Sequence, residues 1–195
     1  MDINTRLISE LRKRSSAGIV DCKKALMETN GDMEKALEYL RKQGLEKAGK
    51  KSDRVAGEGI VATYVHATQK VGAMVALACE TDFVARNKDF QQLGRDLAMQ
   101  VVASRPLYLS RDQVSREVVD KEKAIYREQL SREGKPQEMI EKIIEGKMDK
   151  YYEEVCLLEQ SFIKDEDLKV REVVAQKIAT IGENIEIKRF SLLEI

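Results

Sequence analysis

The 195-residue chain carries 34 Lys plus Arg against 34 Asp plus Glu, with 43% hydrophobic residues, 5% aromatic residues and two prolines. That length fits one or two domains with a workable core, and a mixed-sign charged fraction of 35% describes a folded, helix-rich chain and not a disordered tail. Zero formal net charge argues against direct nucleic-acid binding, which needs a Lys/Arg excess large enough to displace counterions, so a protein partner is the first expectation.

Other classes fall away on local pattern. The longest apolar run, Val71 to Cys79, is far short of the roughly 18 residues a bilayer requires, so no membrane-spanning helix is expected. Met1-Asp2-Ile3-Asn4 places an acid where a signal peptide carries lysines, with no hydrophobic block behind it, and a cytoplasmic location is expected. Cys22, Cys79 and Cys156 are widely spaced without a CxxC, which predicts buried free thiols and neither a zinc site nor a disulfide framework. No metal or cofactor is expected.

In chain order, Ile3, Leu7, Ile8 and Leu11 recur at helical spacing, with Asn4 or Thr5 placed to cap. Ser15, Ser16 and Gly18 break that helix near Arg14, and a second stripe runs through Ile19, Cys22, Ala25 and Leu26 with Val20 off it. Asn30-Gly31-Asp32 starts a third helix, capped by Asp32, whose face is Met33, Ala36, Leu37 and Leu40. Residues 1–45 thus read as a compact three-helix bundle, and 46–58, rich in Lys, Gly and Ala without an apolar face, as a linker whose first part extends the third helix.

The remainder, 59–195, reads as a single core domain. Ile60 to His66 is rich in β-formers, Val71 to Cys79 is a strand buried on both faces, and the polar turn Ala67-Thr68-Gln69-Lys70 joins them as a hairpin. A helix bearing Phe90, Leu93, Leu97, Ala98 and Val101 follows and stops at Pro106. Charged helical sequence from Ser110 to Tyr152, interrupted by Gly134 and Pro136, predicts two antiparallel helices with Ile140, Ile143, Ile144 and Met148 in their seam. A helix from Lys169 to Thr180 stops at Gly182, and the alternation of Ile185 and Ile187 with Glu186 and Lys188 is a strand that completes a three-stranded antiparallel sheet. The fold class is α+β.

Catalytic patterns fail one by one. Gly44 to Ser52 nearly matches GxxxxGK[ST], but Lys51 stands where a magnesium-binding hydroxyl is needed and the segment follows a helix, not a strand. His66 is the only histidine and has no convincing nucleophile near it in sequence, so a surface or interface role is the expectation. One segment does not fit simple packing. Glu80-Thr81-Asp82-Phe83-Val84-Ala85-Arg86-Asn87 holds a Phe and a Val in a polar connection directly after the buried strand, so Phe83 is either tucked under its own loop or a projecting wedge aimed at another protein.

These residues carry a resemblance. Leu11-Arg12-Lys13-Arg14-Ser15-Ser16-Ala17-Gly18-Ile19-Val20-Asp21-Cys22-Lys23-Lys24-Ala25-Leu26, followed by Asn30-Gly31-Asp32, resembles the N-terminal signature of the bacterial elongation factor Ts family. Cys79 to Asn87 resembles its second signature, centred on Thr-Asp-Phe-Val, and Gly134-Lys135-Pro136, Ile144 to Met148 and Ile181-Gly182-Glu183-Asn184-Ile185 are similar to further family segments in the same order.

The resemblance implies a guanine-nucleotide exchange factor for the GTPase elongation factor Tu, acting by binding and not as an enzyme. It implies a ubiquitin-associated-type N-terminal module with partner contacts at Arg12, Ile19, Val20 and Lys23, and a wedge of Thr81, Asp82, Phe83 and Val84 that disturbs the magnesium and phosphate site. It also implies further contacts at His66, Met99 and Gln100, the last standing where the family often has histidine. Long members carry the core repeat twice, whereas this chain has room for one copy. It resembles the short form, which implies a non-covalent homodimer and a two-plus-two complex. The rival reading is a ubiquitin-associated-type binding adaptor without exchange activity, which explains residues 1–45 alone.

Overall fold

The computed structural model describes residues 4–15, 17–134 and 136–195. Ile3, Ser16 and Lys135, which the sequence assigned to a helix stripe, a helix break and a family segment, lie outside the described residues. The chain forms two compact units, one of Met1–Ala62, Val75–Arg95 and Arg171–Lys188, the other of Thr63–Met74, Asp96–Val170 and Arg189–Ile195.

The first unit begins with α1 (Thr5–Ser15), α2 (Ile19–Glu28) and α3 (Met33–Gly49). Side-chain acceptors satisfy donors that a first helical turn leaves unpaired: Asn4 Oδ1 takes the Arg6 N–H at 3.0 Å and Asp32 Oδ1 the Lys35 N–H at 3.1 Å. The spacing argument holds in the core, where Leu11, Cys22, Ala25, Leu26 and Ala36 are buried and Leu7, Ile8, Met33, Leu37 and Leu40 pack around them. Three of those five are Ala or Cys, so the transfer energy gained there is small, and the bundle gains support from elsewhere in its unit. Arg41 of α3 pairs at 3.1 Å with the buried Glu172 of a late helix, α8 (Val170–Ile181). Residues 46–49, at the head of the expected linker, belong to α3, whose Gly44 is buried against the α8 backbone.

Strands β1 (Glu58–Val65), β2 (Val71–Cys79) and β5 (Ile185–Glu194) make a three-stranded antiparallel sheet in the order β1-β2-β5. The hairpin closes with the His66 N–H on the Val71 carbonyl at 2.9 Å and Gln69 at φ 58°. As the central strand, β2 has no open edge, and Ala73, Val75, Leu77, Ala78 and Cys79 are buried along it. Gly59 sits at φ 152° where a Cβ would come within 2.2 Å of the Leu77 carbonyl oxygen, so no other residue fits without shifting the strand pair.

After β2 comes a single helical turn, α4 (Asp82–Ala85), then α5 (Lys88–Ser104), whose Phe90, Leu93, Leu97, Ala98 and Val101 are buried as spaced. In the second unit, α6 (Arg116–Arg132) and α7 (Gln137–Val155) close on Leu130, Ile140, Ile144 and Met148, with Ile143 half-buried beside them. A short antiparallel pair, β3 (Ser161–Phe162) and β4 (Asp165–Lys169), was not foreseen, because a two-residue strand and the polar string Asp-Glu-Asp carry no alternation to read. All three cysteines are free and buried. No helix among the described residues is long and apolar enough to cross a membrane.

Candidate functional site

The turn after β2 is built around one hydroxyl. Thr81 is the N-cap of α4, its Oγ1 accepting the Val84 N–H at 3.4 Å while donating its own proton to Glu183 Oε1 at 2.6 Å. A hydroxyl has one proton and two lone pairs, so it can serve both partners at once. The other oxygen of Glu183 accepts the backbone N–H groups of Glu80 at 3.1 Å and Thr81 at 3.0 Å. From the strand side, the buried Cys79 thiol donates to the Thr81 carbonyl at 3.2 Å, and burial holds that thiol above its ordinary pKa. Asp82 and Arg86 pair at 3.0 Å across the turn.

What this anchored turn presents is apolar. Ala85 points into the protein, Val84 is half-buried, and Phe83 is 81% exposed. The alternative of a Phe tucked under its own loop is therefore excluded. An exposed phenyl ring on a turn held by several hydrogen bonds is a rigid projection, the form in which an aromatic side chain contributes most to an interface.

Beneath the turn lies a charged cluster in the same unit. Glu80 Oε1 faces the Arg54 guanidinium at 3.5 Å and accepts the Asn184 N–H at 2.7 Å. Lys51 donates to the Ile178 carbonyl at 3.4 Å, and its ammonium is pulled below the ordinary lysine pKa by partial burial and then by the nearby Arg54.

A second exposed surface lies on α2 of that unit. Val20 is 80% exposed and Ile19 57%, with Lys23 exposed one turn on and Arg12 exposed on α1. Ile19 corrects the sequence reading, which placed it on the buried stripe. It lies at the first residue of α2 and at the margin of the arc formed by Cys22, Ala25 and Leu26, so it stays in solvent.

The remaining predicted residues lie in the second unit. His66 is exposed at the end of β1, its Nδ1 2.9 Å from Thr68 Oγ1. Met99 is half-buried. Gln100 is a correction, since it is completely buried: its Nε2 lies within reach of Ser104 Oγ, Gln160 Oε1 and the Ser161 carbonyl, and its Oε1 accepts the Ile163 N–H at 2.8 Å. A side chain with every polar atom satisfied internally is a core bracket, not a partner contact. The signal for this was present, because Leu93, Leu97, Gln100 and Ser104 follow the buried helical spacing. Sequence reasoning also missed Glu183 as the anchor of Thr81, a pair 102 positions apart that no local pattern connects. The segment resembling a phosphate loop lies mostly inside α3, so its amides are committed to helix bonds and cannot cradle a phosphate.

A family model described as "Elongation factor TS" matches residues 4–177. The elongation factor Ts of Thermosipho melanesiensis is 55% identical over 188 residues, covering 96% of this chain and 96% of that protein. That of Fervidobacterium nodosum is 50% identical over 195 residues, covering 100% and 99% of the two chains, and that of Syntrophomonas wolfei is 51% identical over 193 residues, covering 99% and 90%.

Proposed function

The chain belongs to the elongation factor Ts family, whose role is in translation elongation, and we infer that it acts as the guanine-nucleotide exchange factor for elongation factor Tu, in the cytoplasm. The observation that carries this reading is the exposure of Phe83 on a turn pinned through Thr81. The exposed Ile19 and Val20, bordered by Arg12 and Lys23, dock the ubiquitin-associated-type module on the GTPase. Phe83 then enters beside the element that holds the nucleotide's magnesium ion, with Thr81 and Asp82 fixing its turn and Val84 extending its apolar face.

The mechanism is linkage and needs no covalent step. GDP in a GTPase is held by phosphate-loop amides and by a magnesium ion that neutralises phosphate charge. Displacing the element that orients this ion removes the strongest local counter-charge, and GDP leaves faster. Coupling is reciprocal, so nucleotide with magnesium weakens the factor's grip, and GTP binding releases it.

A homodimer in a two-plus-two complex follows from the single core repeat. It is supported by an apolar groove in the second unit, lined by Val65, Val71, Met74, Leu193 and Ile195, where Val65 and Leu193 are exposed although surface positions favour polar residues. The test of function is release of a fluorescent GDP analogue from purified elongation factor Tu, with excess unlabelled GDP, with and without catalytic amounts of this protein. Acceleration supports exchange. Binding without acceleration would leave the adaptor reading.

A further inference from the structure

Asn184 has no part in the mechanism above, yet it is only 2% exposed and donates three hydrogen bonds. Its Nδ2 donates to the Arg54 carbonyl at 2.8 Å and to Glu186 Oε1 at 3.0 Å, and its backbone N–H donates to Glu80 Oε1 at 2.7 Å. Arg54 lies in the segment that leaves α3, and Glu80 immediately precedes the Thr81 cap. One residue therefore holds both the segment trailing the N-terminal helices and the turn that carries Phe83.

The neighbouring structure reinforces this junction. Asn184 and Glu183 leave the C-terminal end of α8, and α8 itself bears against α3 through the Arg41–Glu172 pair at 3.1 Å and against the segment just after α3 through the Lys51 bond to the Ile178 carbonyl. Only an amide fits the Asn184 position by its chemistry. Its two N–H groups point at two acceptors, whereas a carboxylate there would set oxygen against the Arg54 carbonyl and the Glu186 carboxylate.

We propose that Asn184 is a positioning residue that locks the N-terminal docking helices and Phe83 into one fixed geometry, so that a partner engaged by Ile19 and Val20 meets the ring already oriented. The proposal rests on the exchange-factor reading. Its physical basis is preorganisation: two contact sites joined loosely must lose conformational freedom when the second engages, and two sites joined rigidly have lost it on folding. Asn184 acts through Phe83 and touches no nucleotide.

The experiment is a double-mutant cycle on exchange rate with elongation factor Tu, using wild type, Asn184→Ala, Phe83→Ala and the pair, each checked by thermal melting. In the wild-type background Asn184→Ala slows exchange on the order of tenfold, within the range for coupled neighbours, and in the Phe83→Ala background it has no further effect. A merely structural role would give the same loss in both backgrounds, and that result, or no loss at all, overturns the proposal. Should Asn184→Ala fail to fold, Asn184→Asp, which keeps the side-chain size while replacing both side-chain donors with acceptors, runs through the same cycle with the same opposing outcomes. No acceleration by the wild-type protein would overturn the exchange-factor reading itself, a result distinct from either pattern in the cycle.

Discussion

The Thr81 hydroxyl lies 2.6 Å from Glu183 Oε1, joining residues 102 positions apart, and the same carboxylate closes the backbone N–H groups of Glu80 and Thr81. Charge-assisted bonds of this kind contribute about 1.5–3 kcal/mol each when fully formed, less where solvent competes, as at this half-buried carboxylate. Glu183→Ala should therefore lower stability by roughly 2 kcal/mol. Exchange should slow by several-fold although Phe83 is untouched. Melting curves and exchange rates on one preparation check this; unchanged exchange would mean the turn orients Phe83 without Glu183.

On α2, the exposure of Ile19 and Val20 separates binding from folding. Val20→Asp should change stability by no more than about 0.5 kcal/mol, as for a surface position, yet raise the half-saturating concentration for elongation factor Tu on the order of tenfold. The maximal exchange rate should be nearly unchanged. Titration of the variant in the exchange assay separates these effects, and a drop in maximal rate at constant half-saturation would place Val20 in the exchange step instead.

Gln100 gives the opposite pattern. Truncation to Ala strands the Ile163 N–H and the acceptors around Ser161 in the interior, which costs about 2–4 kcal/mol with the cavity included. Denaturant unfolding should show that loss, while exchange measured where the variant is folded should stay near wild type. A large exchange defect without destabilisation would restore Gln100 as a partner contact.

Regular elements were legible where one physical signal dominated. The Met33 to Leu40 stripe with its Asp32 cap, the unbroken Val71 to Cys79 strand and the Gly134-Pro136 stop between α6 and α7 each follow from spacing or backbone restriction alone. Phe83 was legible as an anomaly, because an aromatic in a polar turn has no packing reason, but its outward direction depends on how one turn of helix is capped. Glu183 and Asn184 were illegible as anchors, since polar side chains have no period and their partners are set by tertiary topology. Gln100 was misassigned for a different reason: the resemblance placed a partner contact there, and that outweighed its position on a buried stripe.

The Cys156 thiol, fully buried, is pushed up to about 11 by burial and by the neighbouring Glu159 carboxylate. With the folded value above the unfolded one, the unfolded chain loses this proton first as pH rises. The stabilising contribution is thus complete below the ordinary thiol value of about 9 and is lost as pH climbs toward 11. Cys79, Tyr126 and Tyr151 are raised in the same direction, so the difference between wild type and Cys156→Ala isolates this site. Their stability gap, measured in denaturant at pH 8 and pH 10.5, should narrow at the higher pH. An unchanged gap would show that the folded and unfolded thiols titrate alike.

The most direct measurement compares wild type with Phe83→Ala in stopped-flow release of a fluorescent GDP analogue from elongation factor Tu. The ring is 81% exposed, so its removal should leave the melting temperature within error while maximal GDP release slows by on the order of a hundredfold, the loss of about 2.7 kcal/mol of coupling. A variant that melts as wild type and still releases GDP at the wild-type rate would contradict the wedge and the mechanism built on it.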